Sequence, residues 1–238
     1  HGSICENWTA IECPVLCVGG WNDAYSNAIP RLMKNLRVPR KAIIGPWAHK
    51  YPHFAVPEPR IGFLQEMLRW WGQWLTSEST GVTSDPDWRV YMMDPIPPGG
   101  TYKDLPGRWI GDHQWGSGHT EMKKWFLTAE GIAGKAGPEE KRSICSKQTT
   151  GADGGEYCII WLGPEFPGDQ AKDDGQSICF DSPELKQDLE IAGQPMLELE
   201  LEVDKPVAHI AVRLNDVWPD GKVSRITYHL QNLCMRDS

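Results

Sequence analysis

Two short apolar runs constrain this chain more than any other feature. Val15 to Val18 is apolar with no polar face and is ended by Gly19-Gly20; Lys41 to Ile44 behaves the same way and is ended by Gly45-Pro46. A run without a polar face suits a strand covered on both sides, as in a parallel sheet. Between the runs, Ile29, Leu32, Met33 and Leu36 recur at i, i+3, i+4 and i+7, one face of a helix. Pro30 fits only that helix's first turn, and Pro39 stops it. Strand, helix and strand make a βαβ unit. Asp23 and His49 stand just beyond its two strand ends. In open α/β sheets, ligands sit outside the carboxyl ends of the strands.

The pattern continues after a Pro-punctuated loop with Pro52, Pro57 and Pro59. Phe63, Leu64, Met67, Leu68, Trp71, Trp74 and Leu75 form an apolar stripe, with Gln65, Glu66, Arg69 and Gln73 opposite. The stripe predicts a helix packed on the sheet that closes this domain near residue 78, giving βαβα. From about residue 85 the period changes from 3.6 to 2. Candidate strands are Arg89–Met93, Lys124–Leu127, Tyr157–Trp161, Ser177–Phe180, Met196–Val203, His209–Leu214 and Arg225–Leu230. Leu197, Leu199, Leu201 and Val203 alternate with Glu198, Glu200 and Glu202, and Pro219-Asp220-Gly221 is a turn. Residues 131–156, rich in Gly, Lys and Glu, read as a long exposed loop. The fold class is therefore α/β plus all-β: residues 1–84 form the α/β domain, and residues 85–238 a β-sandwich of jelly-roll type.

Composition excludes several functions. At 40% hydrophobic the 238-residue chain can bury a core. A net charge of -8 with no basic stripe argues against a nucleic-acid partner. No apolar run is long enough to span a membrane, and no signal-peptide pattern opens the chain. Seven scattered cysteines do not make a disulfide framework and suit a reducing, cytoplasmic setting. Cys13 and Cys17, if on one strand, lie about 13 Å apart, too far to bridge or share a metal. They read as buried strand residues. Twelve tryptophans fit a Trp-rich core or an aromatic-lined pocket.

Asp23 and His49 admit two readings. An Asp after Gly-Gly-Trp-Asn can cap a helix, and a His after a strand can be a hydrogen-bonded loop residue. Alternatively, the Asp orients the imidazole and the His takes a nucleophile's proton, in the chain order that α/β-hydrolases use. Trp21 and Trp47 flank the pair, either packing over the strand ends or walling a substrate pocket. His49 and His53 have an H-x-x-x-H spacing that would suit zinc on a helix, but Pro52 argues against a helix and no third ligand stands nearby. His53 reads as a surface or supporting residue, as do His113, His119, His209 and His229. Asp216 and Asp220 read as turn residues.

Gly19-Gly20-Trp21-Asn22-Asp23 and Ile44-Gly45-Pro46-Trp47-Ala48-His49 resemble the GGW-x-D and IGPW-x-H motifs of the X-Pro dipeptidyl-peptidase and cocaine esterase family of serine hydrolases. Arg69-Trp70-Trp71-Gly72-Gln73-Trp74-Leu75 resembles that family's RWWD-x-WLKG helix. Pro106-Gly107-Arg108-Trp109 and Asp216-Val217-Trp218-Pro219-Asp220-Gly221 resemble stretches of its C-terminal jelly roll. The resemblance implies an acyl-serine hydrolase of acyl or aminoacyl esters, amides or X-Pro peptides, with His49 as base, Asp23 as its orienter and no cofactor or metal. It also implies a nucleophile in a G-x-S-Y-x-G elbow upstream of the acid. No G-x-S-x-G occurs in this sequence, and Gly116-Ser117-Gly118 stands in the wrong place. The expectation is thus a C-terminal part of such an enzyme, incomplete at both ends and inactive alone, whose partner is the N-terminal part carrying the serine. A rival reading is a carbohydrate- or partner-binding jelly roll using aromatics such as Trp109, Trp115 and Trp125.

Overall fold

A computed structural model of the chain describes residues 4–114, 120–155 and 166–235. The strand expected at Tyr157–Trp161, the Gly116-Ser117-Gly118 loop, Trp115 and His119 lie outside the described residues. The chain divides into two compact units, one of residues 1–96, 101–119 and 157–166, the other of residues 97–100, 120–156 and 167–238.

The first unit is built on a four-stranded sheet in the order β1-β2-β3-β4. Strand β1 (Val15–Gly20) runs parallel to β2 (Arg40–Gly45), with Val18 opposite Ile43 and Gly20 opposite Gly45. Helix α1 (Ala28–Asn35) makes the crossover between them. Pro30 is its third residue, where a missing N–H breaks no intrahelical bond. The helix ends as Leu36 turns to extended backbone. The apolar runs are covered on both faces, as their lack of a polar side requires. Cys17, Ala42, Ile44, Trp88 and Val90 pack with Ile29 and Met33 of α1, while Ile43 packs with Trp47 and Ala55 on the opposite face.

Strand β3 (Trp88–Met93) pairs parallel to β2, and β4 (Gly107–Asp112) pairs antiparallel to β3. The sheet therefore runs past residue 84 and takes in the strand expected at Arg89–Met93 as part of the sandwich, together with β4, which the sequence reading does not single out. Trp88 and Val90 join the α1-side core, which explains why β3 sits here. Helix α2 (Phe63–Leu75) forms where expected but buries a different face. Phe63 and Trp70 are buried, whereas Leu64, Leu68, Trp71 and Leu75 are exposed. Glu66 accepts two hydrogen bonds from the Arg89 guanidinium on β3, both 2.8 Å, and Arg69 bridges Glu66 and Asp85. The helix is apolar around most of its girth, and these charge-assisted bonds select which side turns to β3.

In the second unit, β5 (Phe126–Thr128) and β6 (Gly131–Ala133) form a small hairpin, and β7 (His209–Val217) and β8 (Val223–Asn232) a long one. Residues 218–222 turn the long hairpin, with Gly221 at φ +85°, a conformation glycine adopts freely. Asp220 lies in this turn, as expected; Asp216 lies instead in β7, opposite Ser224. Helix α3 (Ala171–Asp174) docks on the long hairpin through polar groups. Gln170 donates to the Gly154 and Gly168 carbonyls and accepts from Arg213. Arg213 pairs with Asp174 at 2.7 Å, and Asn215 donates to the same carboxylate. The stretches Ser177–Phe180 and Met196–Val203, expected as strands, carry no ladder, and Leu197, Leu199, Leu201 and Val203 are exposed. Alternation sorts side chains onto two faces, but a strand also needs a neighbour for its backbone, and among the described residues none pairs with these. The described part of this unit is thus mostly β, without a closed sandwich. No helix among the described residues is long and apolar enough to cross a membrane.

Candidate active site

The parallel register of β1 and β2 ends with both strands level, so the segments that follow leave the sheet side by side. Gly20 is where they touch. A Cβ there would lie 1.8 Å from the Trp47 carbonyl oxygen, a distance no side chain tolerates. The contact is held by hydrogen bonds from Trp21 N–H to the Gly45 carbonyl, 2.9 Å, and from Asn22 N–H to the Trp47 carbonyl, 3.1 Å. Asp23 follows Asn22, and His49 lies two residues beyond Trp47.

This geometry brings Asp23 and His49 together, with His49 Nδ1 2.8 Å from Asp23 Oδ2. An ionised carboxylate only accepts hydrogen bonds, so opposite it Nδ1 carries the proton and donates. The other carboxylate oxygen, Oδ1, accepts from the Tyr25 N–H at 2.8 Å. Asp23 is therefore tied at both oxygens and does not cap α1, whose N-cap is Asn27. The two side chains differ in access: Asp23 is 12% exposed and His49 39%. The Tyr25 ring lies 5.5 Å from the imidazole and is itself exposed. An imidazole so held keeps Nε2 as its acceptor, the arrangement a general base needs.

The flanking tryptophans serve different ends. Trp47 is fully buried, packs with Ile43 and Ala55, and donates its indole N–H to the Pro59 carbonyl. Its surroundings are those of a packing residue, and it presents no surface to a substrate. Trp21 is half-buried against the α1-side core and donates its indole N–H to the Tyr91 carbonyl. Cys17 is buried in β1, and burial pushes its thiol up to about 11, so it holds no thiolate near neutrality. Cys13, read as a buried strand residue, is exposed ahead of β1. Residues 49–54 form bends and turns, and His53 packs its ring on Phe54 and Phe63. Among the described residues no three His, Cys, Asp or Glu side chains gather as a metal site would require. A cavity of about 350 Å³ lined by Ile43, Glu66, Arg89 and Trp109 lies elsewhere in this unit, and neither Asp23 nor His49 borders it. The sequence reading assigns no role to Asn22 or Tyr25; their adjacency to Asp23 is the available signal.

A carboxylate and an imidazole thus meet just beyond the carboxyl ends of two neighbouring parallel strands. Residues 1–51 match the family model described as X-Pro dipeptidyl-peptidase (S15 family), and residues 80–238 match the X-Pro dipeptidyl-peptidase C-terminal non-catalytic domain. The chain belongs to the X-Pro dipeptidyl-peptidase S15 family, and both Asp23 and His49 fall within the S15 match. No curated protein matches it.

Proposed function

We propose that Asp23 and His49 are the acid and base of a serine-hydrolase triad whose nucleophile lies outside this sequence. The observation that carries this reading is the 2.8 Å contact between a sheltered carboxylate and an accessible imidazole. His49 takes the serine proton through Nε2 as the hydroxyl attacks the substrate carbonyl, and then gives it to the leaving alcohol or amine. Asp23 holds the tautomer and stabilises the imidazolium. Family membership supports X-Pro peptides, and acyl or aminoacyl esters and amides, as substrates. Cysteines outside any disulfide, such as Cys13, Cys17 and Cys179, support a reducing, cytoplasmic setting.

The test joins this chain to an S15 segment bearing the nucleophile and follows hydrolysis of an X-Pro-p-nitroanilide and an acyl ester. The reading expects activity that His49→Ala abolishes. Unimpaired acyl transfer in His49→Ala rules the role out. A second reading, favoured by the non-catalytic description of the domain matched over residues 80–238, makes that region a carbohydrate- or partner-binding module. Calorimetry of the whole chain against a glycan panel tests this second reading.

A further inference from the structure

We infer that Asn22 is a positioning residue that sets the Asp23–His49 distance, an inference that rests on the catalytic reading of that pair. Three successive carbonyls on the His49 side, those of Gly45, Pro46 and Trp47, are each bound from the Asp23 side. Trp21 N–H takes the first, the Asn22 side-chain amide the second at 2.8 Å, and Asn22 N–H the third. Asn22 thus supplies two of the three bonds, and it is the residue directly before the acid.

The middle bond depends on side-chain chemistry. Pro46 is fully buried, so its carbonyl needs a donor within the protein. A carbonyl accepts only, so the amide must turn Nδ2 toward it, and that nitrogen also lies 4.0 Å from Met93 Sδ. Asn22 is thereby held between the segment that delivers His49 and the end of β3. The backbone bonds at Trp21 and Asn22 keep the strand ends parallel in any variant. The amide adds a side-chain tie between the Asp23 loop and Pro46, three residues before His49. Shortening the side chain lets the Asp23 loop swing out while β1 and β2 stay paired.

The experiment uses the full chain and reads the solvent-exchange lifetime of the His49 Nδ1 proton by NMR, alongside amide exchange in β1 and β2. Two variants are compared with wild type: Asn22→Ala, and Asn22→Leu, which keeps the branched skeleton, lacks the donor and guards against a folding failure of the first. The expected result is a ring-proton lifetime about fivefold shorter in both, the scale of one neutral hydrogen bond, with strand amides unchanged. An unchanged lifetime overturns the inference. So does a shortening matched by equal acceleration of the strand amides, which marks a merely structural residue. Asp23→Asn serves as the control: if it leaves the wild-type lifetime unaltered, the pair reading itself fails and takes the inference with it. If it shortens the lifetime and the Asn22 variants do not, the pair stands and only the role of Asn22 falls.

Discussion

The two units are held together by different chemistry. The first has a sheet whose central strands bury both faces in aliphatic and aromatic side chains: Ile44, Trp88 and Val90 on one side, Ile43 and Trp47 on the other. The second fixes its long hairpin with a partly buried polar knot that links Gln170, Arg213, Asp174 and Asn215. Apolar burial is tolerant of direction, so a continuous apolar run is enough to place a strand. A polar knot is directional, with each donor aimed at a particular acceptor, so it specifies one arrangement and leaves little trace in hydropathy. The site sits on the first kind of framework, where the strand ends are fixed before any polar group is placed.

The largest expected effect tests whether chemistry is confined to the first unit. In the nucleophile-bearing enzyme, Asp23→Asn lowers kcat by about 10⁴-fold, the scale for losing the tautomer-fixing acid. Gln170→Ala, in the second unit, leaves kcat within about twofold, since it touches no reacting group. A large loss of kcat in Gln170→Ala breaks the division.

Next come the stability effects. Gly20→Ala forces the crossing backbones apart and destabilises the first unit by about 3 kcal/mol in denaturant unfolding. Ile44→Ala, at a fully buried position, costs a similar amount, about 3 kcal/mol. Gln170→Ala leaves the Arg213 guanidinium and two carbonyls short of a partner and costs about 2 kcal/mol. Leu199→Ala, at an exposed position, costs less than about 0.5 kcal/mol. A cost at Leu199 equal to that at Ile44 would show the Met196–Val203 stretch to be buried in a closed sandwich.

The smallest effect is opposite in sign in the two units. Hydrogen bonding from Arg89 holds the Glu66 carboxyl below its ordinary range, so its contribution is full at neutral pH and is lost as pH falls through that lowered value. Burial raises Asp174 despite the Arg213 charge beside it, so its contribution is full in acid and is lost as pH rises through the raised value. Lowering the pH through that raised value therefore increases amide protection factors in the second unit, and Asp174→Asn flattens that slope. Stronger acidification, below about pH 4, speeds exchange in the first unit, and Glu66→Gln removes that dependence.

What the sequence revealed follows the same division. Strands β1 and β2, helix α1 and the pairing of Asp23 with His49 were legible, because apolar runs, helical spacing and glycine stops act locally. Helix α2 was legible as a helix but not in its orientation: Leu64, Leu68 and Trp71 outweigh Glu66 in any hydropathy count, and the Glu66–Arg89 contact spans 23 residues. Strand β4 joins the first sheet through pairing with β3, which alternation alone cannot assign to one sheet or another. The knot around Gln170 has no counterpart in the sequence reading, since polar residues that bond one another resemble solvated ones. Trp47 illustrates the limit at the site itself: its place in the motif suits a pocket wall equally well, and only its burial separates the two readings.

The account stands most directly on the state of one ring. A long-range 1H–15N correlation spectrum of the chain reports which nitrogen of neutral His49 carries the proton. Protonation at Nδ1 that shifts toward Nε2 in Asp23→Asn is the predicted result. A proton on Nε2 in the wild type, unchanged by Asp23→Asn, would contradict it.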